Sequence, residues 1–151
     1  MNYSKGRKIY IIVSGMLVAI VAGIIFGLSA QTAKESSGTS DSLINLIFVL
    51  IGQSFTPDFI RTVAHLCEFA GFGFLVCNFI FSLKYQPKPL LSIIVSFTYS
   101  LTDEIHQLFV PGRAFQLIDL AVDLGGIISG VAAFCIILIT IQKLSVKNKK
   151  I

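Results

Sequence analysis

Asp103-Glu104-Ile105-His106-Gln107-Leu108-Phe109-Val110-Pro111-Gly112-Arg113 sets two carboxylates, a histidine, an amide and an arginine between two long apolar runs. At membrane depth each ionisable side chain costs about 2.5–3.5 kcal/mol on insertion scales, so such groups face a bundle interior and mark a site rather than bulk filling. Asp119 and Asp123 follow at the start of the next apolar run. The stretch thus reads as the polar end of a membrane helix bundle.

The rest of the chain agrees. Its 151 residues are 54% hydrophobic and 13% charged, and its mean hydropathy is +0.83. Soluble domains of this size carry more charge and shorter apolar runs. Four runs reach the roughly 18 residues a membrane crossing needs: about 9–28, 62–83, 90–110 and 119–142. The first follows Lys5, Arg7 and Lys8, but its apolar stretch is longer than the ~7–15 residues of a signal peptide, so it reads as a retained span. Residues 29–41 are polar and loop-like. Leu43 to Ile51 is too short to cross and reads as interfacial or re-entrant. Thr56-Pro57-Asp58 has the cap, the first-position proline and the acid that open a helix. The expectation is an all-α membrane protein, one domain over residues 1–151, built as a four-transmembrane-helix bundle.

Orientation follows from the basic residues. With the N-terminus inside, the cytoplasmic segments hold Lys5, Arg7, Lys8, Lys84, Lys88, Lys143, Lys147, Lys149 and Lys150, nine of the twelve, and none of the eight acids. A fifth span through Leu43–Ile51 would break that asymmetry, so both termini are expected to be cytoplasmic. The net charge of +4 lies in short flanks beside apolar runs, a pattern of membrane orientation and not of nucleic-acid binding.

Helical spacing then gathers the polar groups. Arg61, His65 and Glu68 share one helix face; Ser96, Ser100, Asp103 and Gln107 share another; Asp119, Asp123, Gly126 and Gly130 share a third. With a rise of about 1.5 Å per residue, Asp103 lies some 21 Å beyond Pro89, near the outer end of its span. Arg61, His65, Glu68, Asp119 and Asp123 fall in the same leaflet. Three stripes at one depth imply a polar pocket in the outer leaflet, made of Arg61, His65, Glu68, Asp103, Glu104, Gln107, Arg113, Asp119 and Asp123. His106, between Ile105 and Gln107, ranks below His65. The other half of the spans reads as dry.

Five carboxylates against two arginines cannot all stay ionised in a low-dielectric site. Protonated carboxyls, charged histidines or a bound cation would each resolve the imbalance. The sequence assigns no cofactor, and it leaves open whether a metal binds. Cys67, Cys77 and Cys135 lie inside apolar runs with no zinc spacing or disulfide framework, and read as packing residues. Gly126-x-x-x-Gly130 and Gly23-x-x-x-Gly27 read as faces for close helix contact.

At Asp103-Glu104-x-x-Gln107-x-Phe109-x-Pro111-x-Arg113, followed by Asp119-x-x-x-Asp123-x-x-Gly126-x-x-x-Gly130, the chain resembles the VanZ-like family of bacterial membrane proteins. Weaker matches are Phe26-x-x-Ser29-x-Gln31 and Arg61-x-x-x-His65-x-x-Glu68. Many relatives carry Asn where this chain has Asp123. The resemblance implies a multi-pass protein of the bacterial cytoplasmic membrane, linked to glycopeptide resistance, to teicoplanin more than vancomycin.

Three functions compete. In the first, an envelope binding protein holds the headgroup of a lipid-linked wall precursor, with Arg61 and Arg113 on its phosphate or carboxylate. In the second, a membrane-embedded hydrolase or transferase uses Glu68 or Glu104 as base, His65 or His106 as acid/base partner or metal ligand, and Arg113 on developing charge. Against it stands the lack of an H-E-x-x-H or G-x-S-x-G motif and of an obvious nucleophile. The third, a proton-coupled carrier, needs polar groups continuing to the cytoplasmic side and a homo-oligomer to complete a pathway. The bilayer is the partner common to all three.

Overall fold

The computed structural model describes residues 4–51 and 55–148. Five helices follow one another: α1 (Lys5–Ser29), α2 (Ala33–Ile51), α3 (Pro57–Lys84), α4 (Pro89–Gln107) and α5 (Leu117–Asn148). No strand occurs among the described residues. α1, α3 and α5 are each long and apolar enough to cross a membrane. α4 is 19 residues long, and its serines, acids and amide make it more polar than those three.

Local chemistry sets the helix ends. Thr56 Oγ1 accepts the Phe59 N–H at 3.3 Å, Pro57 takes the first turn and Asp58 follows, as the sequence led us to expect. α3 ends at Tyr85, left-handed with φ of 53°, whose N–H returns to the Phe81 carbonyl at 2.7 Å. Arg7 of α1 clasps this end. Its Nη2 donates to the Leu83 carbonyl at 2.6 Å, and its guanidinium carbon lies 4.2 Å from the centre of the Tyr85 ring.

The α3–α5 pair forms the spine. Phe69, Phe72, Val76, Cys77 and Ile80 of α3 bury against Ile127, Val131 and Phe134 of α5. Backbones touch where the side chains vanish: a Cβ on Gly126 would stand 2.5 Å from the Leu66 carbonyl oxygen, and one on Gly130 would overlap the Ala70 carbonyl. Gly73 answers from α3, where a Cβ would meet the Ile127 carbonyl at 2.8 Å. The close contact read from Gly126 and Gly130 is therefore present. Gly23 and Gly27 differ: nothing lies within 4 Å of a Cβ at either, so that pair makes no close contact within the chain.

Two further readings are corrected. Residues from Ala33 onward are helix and not loop, and they run through Ile51 as one 19-residue element, of which the segment read as interfacial or re-entrant, Leu43 to Ile51, is the last part. Thr32 starts it: the Glu35 N–H donates to Thr32 Oγ1 at 3.3 Å, and Glu35 Oε2 accepts the Thr32 N–H at 2.8 Å. This is a reciprocal capping box. The half of the bundle remote from Asp103 is also not wholly dry. Ser14, Ser82 and Ser92 are buried there, and the Tyr10 hydroxyl donates to Asn78 Oδ1 at 2.6 Å. Each serine hydroxyl donates to a carbonyl of its own helix, which is how a hydroxyl is accommodated in an apolar layer. Lys149 and Lys150 lie outside the described residues.

Candidate functional site

The C-terminal ends of α1 and α4 and the N-terminal ends of α3 and α5 converge, and the start of α2 lies beside them. Asp123 links three helices there. Its Oδ1 lies 3.0 Å from His65 Nδ1 on α3, and its Oδ2 accepts the Ser100 hydroxyl of α4 at 2.8 Å. Asp123 is fully buried. Glu104, also fully buried, accepts Gln107 Nε2 at 3.1 Å and the Gln116 N–H at 3.0 Å. The second bond ties the end of α4 to the residue before α5.

The turn after α4 carries Arg113. The Arg113 N–H returns to the Val110 carbonyl at 3.0 Å, with Pro111 and Gly112 between them and Gly112 at φ of 77°. Proline and then a positive-φ glycine are what a type II turn requires. The turn docks on α2 through the Ala33 N–H, which donates to the Pro111 carbonyl at 3.3 Å. Arg113 Nε donates in turn to the Gln31 carbonyl at 3.2 Å.

A cavity of about 200 Å³ lies between these elements, several times the roughly 30 Å³ share of one water. Arg61, His65, Glu68, Asp103, Gln107 and Arg113 line it. Of the nine residues expected at the site, these six share the cavity. Glu104 and Asp123 lie behind it in the hydrogen-bonded layer, and Asp119 is buried at the start of α5. His106 is half-buried, and its ring packs tilted against that of Phe26 with centres 4.3 Å apart.

Among the described residues, neither Arg61 nor Arg113 forms an ion pair, nor do Glu68, Asp103, Glu104 or Asp119; His65–Asp123 is the pair that closes. Arg61 Nε and Asp103 Oδ1 are buried without a hydrogen-bond partner. Burial first, and then the neighbouring Arg61, push the Arg113 guanidinium below its ordinary pKa. The two guanidiniums line the cavity without a direct ion pair, while the charges of Asp103, Asp119 and Glu104 act on Arg113 from nearby.

The sequence reading missed part of the wall. Ser29, Gln31, Ser36 and Thr39 also line the cavity, the last two from α2. The signal was available in Thr32-x-x-Glu35, whose capping-box spacing starts a helix and places Ser36 and Thr39 three apart on one face.

No curated protein and no solved structure matches the chain. The model of the VanZ/LLP1 family matches residues 14–139, a range that holds α3, α4, the Pro111–Arg113 turn, and both Asp119 and Asp123. With five-sixths of its length inside that match and the cavity residues all within it, the chain belongs to the VanZ/LLP1 family.

Proposed function

We propose that this is a multi-pass protein of the bacterial cytoplasmic membrane that holds an anionic headgroup in an outer-leaflet pocket. α1, α3, α4 and α5 are the four spans, and both termini are cytoplasmic. The ligand is the phosphate or carboxylate of a lipid-linked wall precursor, and the physiological effect is reduced susceptibility to teicoplanin-type glycopeptides. The observation that carries this reading is the pair Arg61 and Arg113, which line one cavity with no carboxylate partner. A guanidinium offers planar, bidentate donors suited to such oxyanions.

The geometry argues against one form of enzyme. In a Ser-His-Asp triad the histidine stands between the other two and takes the serine proton. Here Asp123 stands in the middle, with Ser100 on one oxygen and His65 on the other. Ser100 therefore donates to a carboxylate, is fully buried, and is not set up as that nucleophile.

The test is teicoplanin susceptibility in a sensitive Gram-positive host expressing the chain beside Arg61→Ala and Arg113→Ala at matched membrane levels. A teicoplanin-selective gain in tolerance, lost in both variants, supports the reading. Unchanged susceptibility with well-expressed wild type removes the glycopeptide role.

A further inference from the structure

We propose that His65, Glu104 and Asp123 form a binding site for one divalent transition-metal ion, Zn²⁺ or Mn²⁺, beside the cavity. The three come from α3, α4 and α5, and one ligand atom from each lies within 4.8 Å of the others. All three are buried. His65 Nδ1 and Asp123 Oδ1 are 3.0 Å apart. Two ligands about 2.1 Å from one tetrahedral zinc stand roughly 3.4 Å apart, so loss of the shared proton turns this pair into two ligands with little movement.

The carboxylates are already steered from behind. Ser100 holds Asp123, while Gln107 and the Gln116 N–H hold Glu104. Each oxygen has a second lone pair for a cation. Such supporting donors are what orient the ligands of metal sites. One imidazole with two carboxylates favours Zn²⁺ or Mn²⁺ over the all-oxygen sites of Mg²⁺ and Ca²⁺.

A second observation points the same way. Asp103 is 3% exposed, its Oδ1 has no hydrogen-bond partner, and it lines the same cavity as His65. This leaves a buried acceptor oxygen without a partner on a residue that shares the cavity with His65. A bound cation is also one way to resolve the excess of carboxylates, beside protonated carboxyls or charged histidines. Glu68, Asp103, Glu104, Asp119 and Asp123 face Arg61 and Arg113, and none of these seven is in an ion pair except Asp123 with His65. A divalent cation offsets two of the three excess negative charges, whereas leaving them uncompensated is costly in a low-dielectric interior. Three protein ligands leave an open position, the arrangement of zinc sites that accept a water or substrate.

The site needs neither arginine, so it stands apart from the headgroup reading. The test uses the full chain in detergent, purified without a polyhistidine tag, stripped with a chelator and dialysed against Zn²⁺ or, separately, Mn²⁺. Metal per chain is then measured by elemental mass spectrometry. We expect about one ion per wild-type chain with one of the two metals, as for a preformed three-ligand site. Arg113→Ala and His106→Ala should load equally, and His65→Ala and Glu104→Gln should load at least about fivefold less. Wild type that binds less than about a tenth of an ion with both metals overturns the proposal whatever the variants do, as does full loading of a monodisperse His65→Ala. Loss of glycopeptide tolerance in the arginine variants without metal in the wild type would sink this site and leave the headgroup reading intact.

Discussion

His65 Nδ1 and Asp123 Oδ1 meet at 3.0 Å across the α3–α5 interface, one turn from the point where Gly126 brings the two backbones together. The polar contact and the closest packing thus sit side by side on one helix pair. Removing one partner of a buried pair leaves the other uncompensated and costs about 3–5 kcal/mol. Asp123→Ala should therefore destabilise the protein by about that amount, and Asp123→Asn, which can still bond both neighbours, by clearly less. Unfolding in mixed micelles measures it. An Asp123→Ala melt within error of wild type would show that the pair contributes nothing.

The glycines give a contrast within one protein. Gly130→Ala drives a methyl into the Ala70 carbonyl, and overpacking costs about 1–3 kcal/mol or more. Gly23→Ala meets open space and should be neutral or gain up to about 1 kcal/mol from helix propensity. Equal effects at the two positions in the same unfolding assay would refute the close approach.

Gly112→Ala tests the turn that presents Arg113. Its φ of 77° is unfavourable for alanine, and a Cβ there would stand 2.9 Å from Ala33 Cβ. The expected cost exceeds about 1 kcal/mol. Its signature is faster hydrogen exchange at the Ala33 and Arg113 amides, with α3 and α5 unaffected. Unaltered exchange at both amides would mean the turn does not depend on glycine.

Glu35 supplies a pH dependence. Hydrogen bonds from the Thr32 N–H and hydroxyl hold its carboxyl below the ordinary glutamate value. A group depressed in the folded state contributes stability that is present above its unfolded pKa and lost as pH falls through the folded one. The start of α2 should hold from neutrality to about pH 5 and loosen below the ordinary glutamate pKa of about 4.3. Glu35→Gln should remove that dependence. Exchange at the first α2 amides, followed between pH 6 and pH 3 or so, reads it, and a flat wild-type profile would argue against the capping box.

The sequence was legible where one physical signal dominated. Apolar runs placed α1, α3 and α5 to within about six residues at each end, and the i, i+4, i+7 spacing of Ser96, Ser100 and Asp103 correctly marked the buried face of α4. α2 was obscured because Ser36, Ser37, Gly38, Thr39 and Ser40 look like loop, while the information lay in the cap ahead of them. Gly23 and Gly27 show the opposite failure: a spacing that permits contact does not supply a partner. Helical spacing brought together residues that do converge around a cavity, but could not tell which of them line it. Arg113 is set there by a turn, and Glu104 is turned away by the Gln116 amide.

Arg7 is counted in the basic bias on which the proposed orientation rests, and it is also the clasp on the last turn of α3, through the Ser82 and Leu83 carbonyls. One side chain therefore carries two kinds of information, an address read during insertion and a latch closed during folding. Lysine keeps the address and gives up the fork-shaped donor set. Arg7→Lys is thus the change that separates how the chain enters the membrane from how its first and third helices come to rest against each other.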